Sequence, residues 1–151
     1  MTIKPDFSKP YVLYADDDFD DLILVKEAFN RFSGKVDIAT VYDGVEAVSF
    51  LKNLSQKDPC PCLIILDLNM PRMNGKEALK EIRMLERFKN IPVVFFTTSS
   101  YQEDKDYARK YKAGFVSKPL SSRQFEGIAA SFIKYCSDDV IESIKPNVGI
   151  A

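Results

Sequence analysis

The sequence predicts an α/β fold: a three-layer, doubly wound domain on a five-stranded parallel sheet. Three observations carry this. Five short runs are rich in branched and aromatic residues, the longer segments between them carry apolar residues at helical spacing, and the two kinds alternate along the chain. The first run, 11–15 (YVLYA), precedes a helical segment near 20–32, where Leu22, Val25, Ala28, Phe29 and Phe32 recur at helical spacing. Run 35–40 (KVDIAT) leads into a helix near 44–55, run 63–66 (LIIL) into one near 75–88, and run 91–96 (IPVVFF) into one near 102–112. Run 115–117 (FVS) precedes a fifth helix near 121–136, whose stripe of Phe125, Ile128, Ala129, Phe132 and Ile133 faces the core. Residues 1–9 read as an N-terminal extension, 10–136 as the domain and 137–151 as a C-terminal tail. Polar, Pro and Gly residues in 1–8 and in the tail predict frayed ends.

Composition narrows the function. A chain of 151 residues with 46% hydrophobic content can bury a full core as one domain. Its formal net charge of -1 argues against a dedicated nucleic-acid binder. No apolar run approaches the roughly 18–20 residues of a membrane span, and the start MTIKPDFSKP lacks a signal peptide's apolar core, so the expectation is a cytoplasmic protein off the membrane. There is no histidine, which removes Ser-His and Cys-His dyads and most zinc sites. Cys60, Cys62 and Cys136 read as reduced, partly buried thiols.

Ligands of a doubly wound sheet bind beyond the carboxyl ends of its strands. The residues there are Asp16 and Asp17, then Asp67, then Thr97 and Thr98, then Lys118 before Pro119. Clustered carboxylates repel one another unless a cation joins them, and hard oxygen ligands in a small open site suit Mg²⁺. In a flavodoxin-like strand order, 2-1-3-4-5, Asp67 lies between the other strand ends, placed to attack phosphorus. Thr97 and Lys118 would then disperse charge on the transferring group.

These residues resemble the receiver domain of two-component response regulators over roughly residues 10–136. The motifs are Asp16-Asp17 after YVLYA, LIILDLNMPRMNG around Asp67, Thr97 after PVVFF, and Lys118-Pro119. The resemblance implies that Asp67 is the phosphoacceptor, and that Asp17, Asp67 and the backbone carbonyl of Asn69 ligate Mg²⁺ with Asp16 acting through water. It implies that Thr97 and Lys118 contact the phosphoryl group, that the Lys118-Pro119 bond is cis, and that Thr97 and Phe115 form the switch. Phe115 lacks a tyrosine's hydroxyl, so it would report by packing alone. The implied donor is a sensor histidine kinase or a histidine phosphotransfer protein. With no output domain expected after the fifth helix, the output would be a protein contact, including a homodimer through the fourth and fifth helices, or onward phosphotransfer. The chain is similar to regulators paired with bacterial phytochrome-type or hybrid kinases.

Other readings compete. Asp16, Asp18, Asp20 and Glu27 match acidic positions of an EF-hand loop, but Asp21 stands where that turn needs glycine, and a strand precedes the run. Asp18, Asp20 and Asp21 read as helix capping and dipole complement. A P-loop or dinucleotide site needs glycine after the first strand, where this chain has five aspartates. A magnesium-dependent phosphatase would carry an acid where Asn69 stands. The remaining alternative is a receiver-fold interaction module that is never phosphorylated.

Overall fold

The computed structural model describes residues 4–32 and 34–144. Strands β1 (Tyr11–Ala15), β2 (Asp37–Val41), β3 (Leu63–Leu66), β4 (Val93–Thr97) and β5 (Gly114–Ser117) pair in parallel in the order β2-β1-β3-β4-β5, as the sequence predicts. Helices α1 (Phe19–Phe29), α2 (Gly44–Lys52), α3 (Gly75–Met84), α4 (Gln102–Lys110) and α5 (Ile128–Ile133) alternate with them.

Period-two alternation splits the core into two layers. Leu13, Ala15, Ile64, Leu66, Val93 and Phe95 face the layer containing α2 and α3. Val12, Tyr14, Leu63, Ile65, Val94 and Phe96 face the layer of α1 and α5. In the second layer the Phe96 and Phe132 rings meet edge to face at 5.0 Å, and Phe29 stacks on Phe132 at 6.3 Å.

Several boundaries move. The fifth helical segment opens as a 3-10 helix, Ser122–Gly127, before α5 begins, because Ser121 makes no side-chain cap and Gly127 interrupts the run. The first ends in a 3-10 turn at Asn30–Phe32 that seats Phe32 in the core.

The frayed ends are a correction. On the N-terminal side Pro5 is buried, the Asp6 amide donates to Asp37 Oδ2 at 2.7 Å, and the Phe7 ring lies 5.4 Å from that of Tyr11. On the C-terminal side Asp138–Ile144 forms a further helix, α6. Ser137 accepts at its start from Ile141 N, and Asp138 and Asp139 complement the helix dipole. Val140, Ile141 and the fully buried Ile144 pack on the α1/α5 layer. Residues 1–3 of the extension and 145–151 of the tail lie outside the described residues. Ile144→Ala is expected to destabilise the fold by about 2–4 kcal/mol, as for other buried large-to-small changes, checked by urea unfolding. A change under about 0.5 kcal/mol would mean that α6 does not dock. Among the described residues, no helix is long and apolar enough to cross a membrane.

Candidate functional site: a carboxylate cluster gripped by one lysine

The strand pairing continues past the strand ends and sets the site. The Asp16 amide donates to Val41 O at 3.1 Å, the Asp67 amide to Ala15 O at 3.1 Å, and the Lys118 amide to Thr97 O at 2.8 Å. Residues separated by about a hundred positions are therefore locked side by side at one edge. Single carboxylate oxygens of Asp16, Asp17 and Asp67 lie within 4.8 Å of one another.

One side chain gathers the cluster. Lys118 Nζ lies 2.9 Å from Asp16 Oδ2, 2.6 Å from Asp21 Oδ2 and 3.0 Å from Asp67 Oδ2. Its side chain is 8% exposed, so these contacts work in a low-dielectric setting. Burial alone would pull the lysine pKa down, but the hydrogen bonds to Asp21 and Asp16 outweigh it and the pKa is raised. Asp67 behaves oppositely. Burial, then the neighbouring Asp16 charge, push its carboxyl up to about 6, with Lys118 opposing them.

Asp16 is fully buried and its oxygens are satisfied. Besides Lys118, its Oδ2 accepts from the Tyr14 hydroxyl at 2.6 Å, and its Oδ1 from the Asp18 amide at 3.0 Å. Desolvation and the Asp16 charge raise the pKa of that tyrosine, keeping it a donor. Asp18 caps α1 by accepting from the Asp20 and Asp21 amides, as predicted. An EF-hand loop does not fit this arrangement, since Asp16 and Asp18 serve different ends and a strand leads into them.

The loop after β3 is shaped around Asp67. A Cβ on Gly75 would lie 2.2 Å from the Asp67 carbonyl oxygen, so only glycine lets α3 start so close. Asn74 and Glu77 close a capping box at that start. Arg72 takes a left-handed backbone, φ 63°, with its Nε 2.6 Å from the buried Asp43 carboxylate. Asp43 also caps α2, so the loop after β3 is tied to the β2–α2 connection. Asn69 is exposed, two residues beyond Asp67.

Thr97 ends β4, fully buried, and its Oγ1 accepts from the Ser99 amide at 3.1 Å. The Ser99 hydroxyl donates to Asp104, which also holds Lys76 Nζ at 2.5 Å. Phe115 is half-buried, edge-on to Phe95 at 6.5 Å, with Lys105 Nζ 6.0 Å from its ring centre.

Two site residues differ from expectation. No cis peptide occurs among the described residues, so the Lys118-Pro119 bond is trans, contrary to the expected cis. Trans is the intrinsically favoured X-Pro isomer by about 0.5–1 kcal/mol, and the lysine's four methylenes reach all three carboxylates from that backbone. Asp21 is the second: read as a capping residue, it makes the shortest contact to Lys118. Its signal was its place in the first turn of α1, which brings an acid back beside the strand ends. Tyr14 was read only as strand.

The motifs now have their geometry, and a family comparison agrees with it. Residues 12–129 match the family model described as the response regulator receiver domain. The chain belongs to that family. It is 36% identical over 95 residues to response regulator Rcp1 of Synechocystis, covering 62% of this chain and 65% of Rcp1's length, so it spans just under two thirds of that relative. The crystal structure of the phosphorylated cyanobacterial phytochrome response regulator RcpA superposes with a TM-score of 0.76 at 27% identity, over 85% of this chain and 97% of that one. The Mn²⁺-bound form of Rcp1 gives a TM-score of 0.71 at 29% identity, over 80% and 92%.

Proposed function

We propose that this response regulator receiver accepts a phosphoryl group on Asp67 from a phosphohistidine of a sensor histidine kinase or histidine phosphotransfer protein, in a reaction that needs Mg²⁺. The observation that carries the reading is Lys118 Nζ 3.0 Å from a buried Asp67 carboxylate within a three-aspartate cluster. An Asp67 oxygen forms the new P–O bond while the P–N bond to the donor imidazole breaks. Its electron pair leaves with the imidazole, which takes up a proton.

The cluster suits a divalent cation: Asp16, Asp17 and Asp67 crowd together with one ammonium in contact, and burial, then the Asp16 charge, raise the acceptor's pKa. The Mn²⁺-bound form of Rcp1 supports this fit. Asp17, Asp67 and the Asn69 carbonyl would hold Mg²⁺, with Asp16 through water, and the ion would neutralise charge on the transferring oxygens. Lys118 orients and neutralises a further oxygen. Exposed Phe19 and Ile23 on α1, with fully exposed Leu120 just after Pro119, offer an apolar rim for a docking donor protein.

The signal would leave through Thr97. Drawing its hydroxyl toward the phosphoryl group gives up the Ser99 amide and disturbs the Ser99–Asp104–Lys76 chain that pins the β4–α4 loop to α3. Phe115 then repacks beside Phe95 at the Lys105 side of α4. The test is intact mass after incubation with acetyl phosphate. A gain of one phosphoryl group with Mg²⁺ and none in chelator is expected, and a folded protein showing no gain in either would overturn the reading.

A further inference from the structure

We infer that Asp21 is a positioning residue of this site, holding the Lys118 ammonium in competition with an incoming phosphoryl group and so setting how readily the site takes one from an anionic donor. This rests on the reading of Asp67 as phosphoacceptor.

The argument is one of donors and acceptors. An ammonium has three N–H groups, and here three carboxylates from three elements lie within 3.0 Å of it: Asp16 after β1, Asp21 in the first turn of α1, and Asp67 after β3. The three acceptors are not equivalent. Asp16 has the Tyr14 hydroxyl and the Asp18 amide besides the lysine. Asp67 belongs to the cluster that a divalent cation would neutralise. Asp21 lies outside that cluster, and among the described residues its carboxylate bonds to Lys118 alone, at the shortest distance of the three. When a cation neutralises the cluster, Asp16 and Asp67 need the lysine less, while Asp21 keeps its whole claim on it. A phosphoryl oxygen approaching Asp67 must therefore compete with Asp21 for the same ammonium. It also meets a fourth negative charge that Asp16, Asp17 and Asp67 alone would not present. The net effect is weaker binding of a small phosphodonor, relieved when the Asp21 charge is removed.

The experiment measures initial phosphorylation rate against acetyl phosphate concentration at saturating Mg²⁺, for wild type, Asp21→Asn and Asp21→Glu. The new bond is Asp67 O–P, the broken one is the P–O bond to acetate, and acetate leaves with the electron pair. Asp21→Asn is expected to lower the half-saturating donor concentration about threefold to tenfold, with a smaller change in maximal rate. Asp21→Glu should stay near wild type. A role confined to starting α1 would move the melting temperature of Asp21→Asn and leave that concentration within twofold of wild type, which would overturn the inference. A wild type that takes no phosphoryl group would overturn the phosphoacceptor reading, and with it the competition. The tether is then read separately from the Lys118 ammonium resonance of the metal-free protein. A signal altered in Asp21→Asn upholds the Asp21 hold on the lysine, and an unaltered one removes it.

Discussion

Asp67→Asn is expected to abolish phosphoryl uptake from acetyl phosphate and to make the metal-free protein more stable at neutral pH. The first half follows from chemistry: the amide is a far weaker nucleophile toward phosphorus, and no other carboxylate holds the same central strand end. The second follows from the raised pKa. The unfolded chain releases this proton near pH 4, whereas the folded protein keeps it until about pH 6. Between those values the folded state binds more protons, so stability declines as pH rises and the loss is complete above about pH 6. Two pH units correspond to on the order of 2–3 kcal/mol, or several degrees of melting temperature for a chain this size. Asparagine carries no such charge. Thermal melts from pH 4 to pH 7.5 in chelator should show wild type losing ground to the variant across that window, and Mg²⁺ at pH 7 should raise wild type more than the variant. Retained uptake in the variant would remove Asp67 from the reaction, and parallel pH curves would remove the raised Asp67 pKa from the stability argument.

Lys118→Ala should act in the opposite direction on stability. It strips the ammonium from Asp16, Asp21 and Asp67, leaving charges that are 0–15% exposed without their cation. Removing one partner from a buried ionic group costs about 3–5 kcal/mol. At roughly 2–4 °C per kcal/mol, the metal-free variant should melt about 6–20 °C below wild type, and saturating Mg²⁺ should restore part of the loss. Phosphorylation should slow by about 10²-fold, the cost of removing one donor aimed at developing charge. A melting temperature within 2 °C of wild type without metal would show that solvent already compensates the cluster.

The two variants separate the roles that the sequence assigns to neighbouring motifs, and the sequence made most of those assignments readable. Strand composition and helical stripes predicted five β-α units, and the residue after each strand predicted Asp16, Asp17, Asp67, Thr97 and Lys118, because a parallel sheet brings every strand's carboxyl end to one edge. Gly75 and Asn74 belonged to a recognisable loop, and the structure adds why: a Cβ would strike the Asp67 carbonyl. The C-terminal helix was missed, although its signals stand in the sequence. Ser137-Asp138-Asp139 is a start signal and Val140, Ile141 and Ile144 a helical stripe, but a short segment near a chain end carries too little periodicity to outweigh its polar neighbours.

What the sequence determined by itself was the set of groups and the edge they share, since strand period and parallel topology fix side and end without knowledge of contacts. Only the tertiary structure decided how one ammonium is divided. That Lys118 reaches Asp21 at 2.6 Å, that Tyr14 supports Asp16 from within the core, and that Lys118-Pro119 needs no cis bond all depend on the angle at which α1 packs over the strand ends and on which rotamers its neighbours leave open. Those quantities arise from many weak packing contacts summed over both layers, and no local pattern of residues records them.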